Sequence, residues 1–403
     1  MENLTSWDLL EHAYGTASDI PPLLDRIAGA KGAKQRKALE ELCARVLHQG
    51  SVYSASAPVA RALIEMLDTA GGDERAALYG VLSAFAEAAR ESSCCEASAA
   101  DVRAIREEIL AGGSRFEQEL AATDETIRFH VANLVIAFPE AGARAERLAR
   151  EGYAVEPEAE VRHALLLGLL RVPEPAADWP RFVASALVRE TAPENRFLLR
   201  FAEICAERER ASEEAVGELV STFVAGSGSF EYMSTTEDSD TARFLSAAGL
   251  LGKSRETETI GRALSISTNQ MLSLLLAERL LRVVFDDQRT GWGQQSYRLM
   301  NADGVQLPAR GMIWTLLRLL GTLLLWRLFP SMRKRGFEPG DRGGMRCIEY
   351  EGVAGPPPPE LPEKLAPAQK RALETIAAHE PLWRIRTNLW KLFGLPESSG
   401  ELR

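Results

Sequence analysis

Residues 124–138 read Asp-Glu-Thr-Ile-Arg-Phe-His-Val-Ala-Asn-Leu-Val-Ile-Ala-Phe. The apolar residues Ile127, Val131 and Leu134 recur at the spacing of one helical face. A carboxylate at the start, Asp124, can accept unpaired backbone N–H groups of a first helical turn. The stretch therefore predicts an amphipathic helix that buries one side.

The same pattern recurs over residues 18–286. An arginine stands near the start of each apolar run, and the separations between these arginines are 34 to 53 residues. The arginines are Arg36, Arg75, Arg128, Arg162, Arg196 and Arg243. Because a shorter apolar segment precedes each one, the pattern predicts helical hairpins stacked in series.

The stretches 124–128 and 158–162 each combine an acidic residue, a β-branched residue and an arginine, and they resemble the second-helix start of HEAT repeats. The resemblance implies an all-α fold: a right-handed superhelical α-solenoid of about seven HEAT-like hairpins with a C-terminal helical extension. In that family the acid and the arginine commonly bond between neighbouring repeats, which would make the arginine row structural.

Composition divides the chain into four segments. Residues 1–286 hold the repeats, 287–351 combine a polar loop, an apolar helix and a basic stretch, 352–365 are a proline-rich linker, and 366–403 form a terminal helical hairpin. The apolar run 312–329 contains two arginines, which are costly at the centre of a membrane, so it predicts a buried helix rather than a transmembrane span.

Composition also narrows the function classes. The chain has 47 basic and 57 acidic residues, a balance that makes nucleic acid an unlikely main partner. No phosphate-binding loop, dinucleotide fingerprint, zinc-protease motif or serine elbow occurs, and the five histidines are scattered. The sequence predicts no catalytic residues, no cofactor and no metal site. The five cysteines and the polar N-terminus predict a cytoplasmic protein.

A candidate binding strip lies opposite the buried stripe, on the predicted concave side. Its binding residues are Phe129, His163, Leu167, Phe197, Phe201 and Phe244. Such a strip is either an open groove for a helix or extended peptide of another protein, or a surface covered by inter-repeat packing and the C-terminal segment. The sequence leaves both interpretations open.

A basic cluster, Arg333, Lys334 and Arg335, is a second candidate. Residues 308–346 carry eight basic side chains against two acidic ones. This segment could meet an acidic partner, make peripheral membrane contact through 311–335, or remain a solvated charge cluster.

The N-terminal segment holds a further polar group of residues: Trp7, His12, Tyr14 and the loop 48–53. Two histidines and two tyrosines could line a small polar pocket. A solenoid also needs a polar cap at its end, and the sequence favours that structural role.

The leading expectation is a non-enzymatic scaffold, adaptor or inhibitor that binds another protein in the concave groove. The alternative is a HEAT-like enzyme or ligand binder, similar to alkylpurine DNA glycosylases or bilin lyases. A glycosylase would need a basic track with tryptophan and a carboxylate, whereas the strip supplies phenylalanine and aliphatic residues. A cavity for a tetrapyrrole remains compatible with the strip.

Overall fold

A computed structural model describes most of the chain. The described residues are 6–90, 98–172, 177–226, 239–285, 296–300, 347–351, 364–383, 386–387 and 395. Among them are seventeen α-helices and five short strands, so the predicted all-α class is confirmed. The chain forms two compact units, and the boundary between Trp179 and Pro180 lies inside the predicted solenoid.

The first unit contains nine of the described helices. A short hairpin precedes them, with two residues in each strand, β1 (Glu11–His12) and β2 (Gly15–Thr16). The helices are α1 (Ile20–Gly29), α2 (Ala33–Val46), α3 (Ser56–Met66), α4 (Gly72–Arg90), α5 (Ala99–Ala111), α6 (Gly113–Glu119), α7 (Glu125–Val135), α8 (Gly142–Val155) and α9 (Ala159–Leu169). Helices α2, α4, α7 and α9 contact one another in series. Helices α1, α3 and α8 each pack on the helix that follows them.

A continuous apolar core runs through this unit from Ala17 to Ala145. Its largest fully buried side chains include Tyr79, Phe85 and Phe116. Burial of these apolar helix faces contributes roughly 25 cal/mol per Å² of apolar surface, and it stabilises helices that would be only marginally stable in isolation.

The second unit begins within α10 (Trp179–Arg189). Its further helices are α11 (Pro193–Glu207), α12 (Glu213–Gly226), α13 (Asp240–Leu250), α14 (Lys253–Ile266), α15 (Gln270–Val284), α16 (Pro367–Ala378) and α17 (Glu380–Trp383). Helices α11 and α12 pack together, α12 and α13 both contact α14, and α15 packs on α14.

A three-stranded sheet accompanies the helices of the second unit. It consists of β3 (Ser296–Met300), β4 (Cys347–Glu351) and β5 (Arg386–Thr387), in that order. Strands β3 and β4 are antiparallel and place Met300 opposite Cys347, while β4 and β5 are parallel.

The predicted arginine register is present in the helices. Each of the six arginines is the fourth residue of its α-helix, from Arg36 in α2 to Arg243 in α13. Each also donates its backbone N–H to the residue just before the helix, at N···O distances of 2.7 to 3.1 Å. The sequence alignment on arginine therefore marks the helix starts correctly.

Several described elements differ from the sequence expectation. Helix α6 is additional, and it lies within the longest arginine spacing, between Arg75 and Arg128. Strands β3 and β4 lie in the segment 287–351, for which the sequence predicts no strand. Within 366–403, predicted as a helical hairpin, Arg386–Thr387 form a strand that pairs with β4. The predicted apolar helix 312–329 lies outside the described residues.

Candidate functional site

The arginine row is held by internal hydrogen bonds. Arg128 binds both carboxylate oxygens of Glu156 with one edge of its guanidinium group, at Nε–Oε2 2.8 Å and Nη2–Oε1 3.0 Å. Its Nη1 donates to the backbone oxygens of Ala122, at 2.9 Å, and Thr123, at 3.1 Å. The Glu156 hydrogen bond raises the pKa of Arg128 above its usual value, so the guanidinium stays charged.

The same backbone contact recurs in the next two hairpins. Nη1 of Arg162 donates to the backbone oxygen of Glu156 at 3.0 Å, and Nη1 of Arg196 donates to that of Glu190 at 2.8 Å. In all three helices the acceptor lies six residues before the arginine. We call this contact the arginine clasp.

Ion pairs join two of the arginines to helices that follow them in the chain. Arg75 pairs with Glu119 of α6 at 2.8 Å, and Arg196 pairs with Glu218 of α12. These guanidinium groups are bound to protein acceptors and hold neighbouring elements together.

The carboxylates near the helix starts act in two ways. Asp124 caps α7 as expected, because its carboxylate accepts the N–H groups of Thr126 and Ile127. At α9 the acidic residue before the helix, Glu158, makes no side-chain cap, and its own N–H donates to the carboxylate of Glu156 at 2.9 Å.

In the second unit the predicted strip belongs largely to the core. Phe197 and Phe244 are only 3% and 0% exposed. Both rings stack on Phe223 of α12, with centroids 5.9 Å and 4.1 Å apart. Phe201 is half-buried. Phe197 and Phe244 therefore offer no surface to a partner, and the packing interpretation is the one that fits them.

In the first unit the equivalent positions are half-buried, as Phe201 is. Phe129 and His163 directly follow the arginines of α7 and α9, and Asn133 and Leu167 lie four residues further on. Leu170 follows the end of α9. All five are intermediate in burial. We call these five residues the α7–α9 face.

A glycine brings these two helices close together. A Cβ atom on Gly168 of α9 would overlap the side chain of Ile136, which directly follows α7. The backbone of α9 thus lies against α7, and the half-exposed side chains of the two helices form neighbouring rows.

The basic cluster Arg333, Lys334 and Arg335 lies outside the described residues, as does the segment 311–335. Its predicted role in binding an acidic partner or a membrane remains a prediction. No helix in the described ranges is both long and apolar enough to cross a bilayer.

The N-terminal polar group of residues centres on His12, whose side chain is 4% exposed. Nδ1 of His12 accepts the Tyr14 N–H at 3.0 Å, and Nε2 lies 2.8 Å from Asp19 Oδ1. Since Nδ1 accepts the Tyr14 N–H, Nε2–H is the group that donates to Asp19. Both nitrogens are occupied, so the pair does not provide a free general base.

Asp19 is held on its other side by Arg45, with Nε 2.9 Å from Oδ2. Burial raises the pKa of Asp19, but the hydrogen bonds from His12 and Arg45 outweigh it and hold that pKa below its usual value. Tyr14 completes the group, with its hydroxyl 3.3 Å from His48 Nδ1. The network fits the predicted cap of the helical array.

The described thiols are poorly suited to nucleophilic chemistry. Burial raises the pKa of Cys43 to about 12 and that of Cys205 to about 11, so both are neutral at physiological pH. Within the described ranges, no group of three or more histidine, cysteine or acidic side chains is arranged to hold a metal ion.

These observations define an all-α protein built from contacting helical hairpins with arginine clasps. No protein-family model and no curated protein sequence matches the chain. The crystal structure of an engineered protein is similar over 89% of each chain, with 14% identity and a TM-score of 0.29. A likeness at that TM-score carries no weight for fold or function.

Proposed function

We propose that this protein is a non-enzymatic binding module that holds a peptide or helix of another protein on the α7–α9 face. The observation that carries the proposal is the partial exposure of equivalent positions on two adjacent helices, Phe129 and Asn133 on α7 and His163 and Leu167 on α9. In this role the protein acts as a scaffold, adaptor or inhibitor.

The side chains of this face suit peptide recognition. Phe129, Leu167 and Leu170 supply apolar contact area, while Asn133 and His163 supply polar groups among them. Mixed surfaces of this kind, with an aromatic anchor and surrounding polar groups, are typical of protein-binding sites. The Phe129 ring is already ordered by an edge contact with His130, at a centroid distance of 5.3 Å, so little side-chain entropy is lost on binding.

The arginine clasps support the proposal by fixing the helices that carry the face. Arg128 ties α7 to the loop before it and to Glu156, and Arg162 ties α9 to the backbone of the same glutamate. The two rows of side chains are therefore presented in a constant relative position. A preformed surface binds with a smaller ordering cost than a mobile one.

Local charge favours a protein partner over nucleic acid. Glu125 is the first residue of α7 and Glu160 is the second residue of α9, and both side chains are exposed. Their carboxylates would repel a phosphate backbone, which needs a dense basic surface. A neutral or basic peptide meets no such repulsion.

A cytoplasmic location fits Cys43 and Cys205, which are free thiols. Free thiols persist in reducing compartments. The proposed scaffold therefore acts inside the cell.

The test is selection of peptide ligands from a displayed random library, followed by affinity measurement on variants. Phe129→Glu and Leu167→Glu should each weaken binding by about thirtyfold, the loss typical of a central anchor. Val155→Glu is the matched control, because Val155 is 82% exposed on α8 of the same unit. Equal affinities for all three variants, or failure to select any ligand, would count against the proposal.

A further inference from the structure

The C-terminal helices α16 and α17 pack on the last pair of helices before the long gap in the described residues. Helix α16 contacts both α14 and α15, and α17 contacts α15. Leu373, Ile376 and Leu382 are buried in this contact. Gln369 of α16 donates from Nε2 to the backbone oxygen of Val284, at 3.2 Å, and so satisfies a carbonyl at the end of α15.

A string of polar side chains lies within this otherwise apolar contact. Nε2 of His379, between α16 and α17, is 2.9 Å from Oγ of Ser273 on α15. Ser273 is fully buried and His379 is 7% exposed. The Ser273 hydroxyl also lies 2.9 Å from the backbone oxygen of Asn269 and 3.1 Å from Oγ of Ser267.

The hydrogen positions in this string follow from its acceptors. Ser273 has one hydroxyl hydrogen, which it can donate to the Asn269 carbonyl or to Oγ of Ser267. Its oxygen is then an acceptor for the imidazole, and Nε2–H of His379 donates to it. The docked state therefore contains a histidine that is held by a neutral partner.

Among the residues that the structure describes, no carboxylate pairs with His379. The charged pairs on the helices that pack around it are Glu256 with Arg279, Glu278 with Arg282, and Glu374 with Lys370. Glu380 is exposed on α17. Burial is the cause that lowers the pKa of His379 below its usual value, and among the described groups no opposite charge offsets it.

We propose that α16 and α17 form an acid-released cap, in which protonation of His379 detaches them from α14 and α15 and uncovers the apolar side of those helices. This goes beyond the proposed peptide binding and does not depend on the α7–α9 face. Buried polar side chains destabilise an apolar contact unless they are fully hydrogen-bonded, and a pH-dependent switch is one function that would explain their presence here.

The direction of the pH effect follows from linkage. The docked state has a histidine pKa below the ordinary 6.5, so the detached state binds more protons. Docking is therefore strongest above pH 6.5, weakens as the pH falls through that value, and levels off below the pKa of the docked state.

The test is hydrogen exchange of the full chain, followed by mass spectrometry at pH 7.5 and pH 5.5 and corrected for intrinsic exchange rates. Peptides from residues 364–383 should show an opening equilibrium that rises by up to about tenfold at the lower pH, as one proton with an ordinary pKa of 6.5 allows. The other histidines, His12, His48, His130 and His163, lie in the first unit. A change confined to 364–383 and its neighbours therefore reports His379.

Two variants separate titration from packing. His379→Gln keeps a donor toward Ser273 but does not titrate, so its opening equilibrium should change by less than about twofold over the same pH range. His48→Gln is the matched control, because His48 lies in the first unit and outside the α7–α9 face, and it should keep the wild-type response. A wild-type chain whose 364–383 exchange is independent of pH would overturn the proposal, and so would a His379→Gln chain with an undiminished pH response. The wild-type pH series alone decides the matter if the variant does not fold.

Discussion

Replacing Arg128 by methionine should destabilise the first unit strongly. The substitution keeps much of the aliphatic stem but removes the bidentate contact with Glu156 and two hydrogen bonds to backbone oxygens. Both partners of the ion pair are shielded, with side chains 13% and 6% exposed. The variant would leave a carboxylate without its cation in a site that water barely reaches.

The magnitude follows from that environment. Removing one partner of a buried, hydrogen-bonded pair costs about 3–5 kcal/mol. Because the site is not fully closed to water, we take the lower end, about 3 kcal/mol. For a unit of 150–250 residues each kcal/mol shifts the melting temperature by roughly 2–4 °C, so a decrease of about 6–12 °C is expected.

Differential scanning calorimetry of the full chain can follow this transition. Arg147→Met is the control, because Arg147 and Glu151 are 68% and 64% exposed and their closest atoms lie 3.9 Å apart. That change should stay within about 0.5 kcal/mol. The double variant with Glu156→Gln should lose less than the sum of the single losses, since no unpaired carboxylate remains. If Arg128→Met melts within a degree or two of Arg147→Met, the clasp has no energetic role and the reasoning fails.

Three further predictions concern single sites. Gly168→Ala should lower the free energy of unfolding by about 1–3 kcal/mol, because the added methyl group pushes α9 away from Ile136. The control Gly261→Ala, which has open space around it, should be neutral or stabilising. Equal melting temperatures for the two variants would contradict the close approach of α9 to Ile136. Tyr79→Phe should raise the free energy of unfolding by about 1 kcal/mol in a urea titration, because the buried Tyr79 hydroxyl has no hydrogen-bond partner among the described residues. A clear loss of stability would show that the hydroxyl does have a hydrogen-bond partner. Asp19→Asn should lower the melting temperature at neutral pH, and the difference from wild type should shrink as the pH falls below 3.8, because the lowered pKa of Asp19 stabilises the fold only while the carboxylate is ionised; a difference that does not change with pH would exclude this linkage.

Local features of the fold were predictable because they depend on neighbours in the chain. The helix starts follow the arginine register, since an arginine four residues into a helix and an apolar stripe behind it are both local signals. The cap at Asp124 was predictable for the same reason. Helix α9 has no side-chain cap, and the Glu156 carboxylate instead accepts the N–H of Glu158 just before the helix, a contact that residue spacing does not predict.

Features that depend on distant contacts were not predictable. The spacing predicted that Phe197 and Phe244 lie on the same side of their respective helices. Only the position of Phe223 on α12 decides that this side is buried. The contact of His379 with Ser273 joins residues 106 positions apart. The sequence of β4, Cys-Ile-Glu-Tyr-Glu, alternates apolar and charged residues and could have indicated a strand. Its pairing with Arg386–Thr387 cannot be predicted from the residues next to it in the chain.

The register of β3 and β4 makes this sheet a natural place to change the length of the chain. Met300 and Cys347 are directly opposed, so the polypeptide departs and returns at adjacent points of one ladder. A two-residue turn could join those two ends without disturbing their pairing, and a folded insert whose termini lie close together could take the same position. A change of chain length at this position would leave the β3–β4 ladder intact.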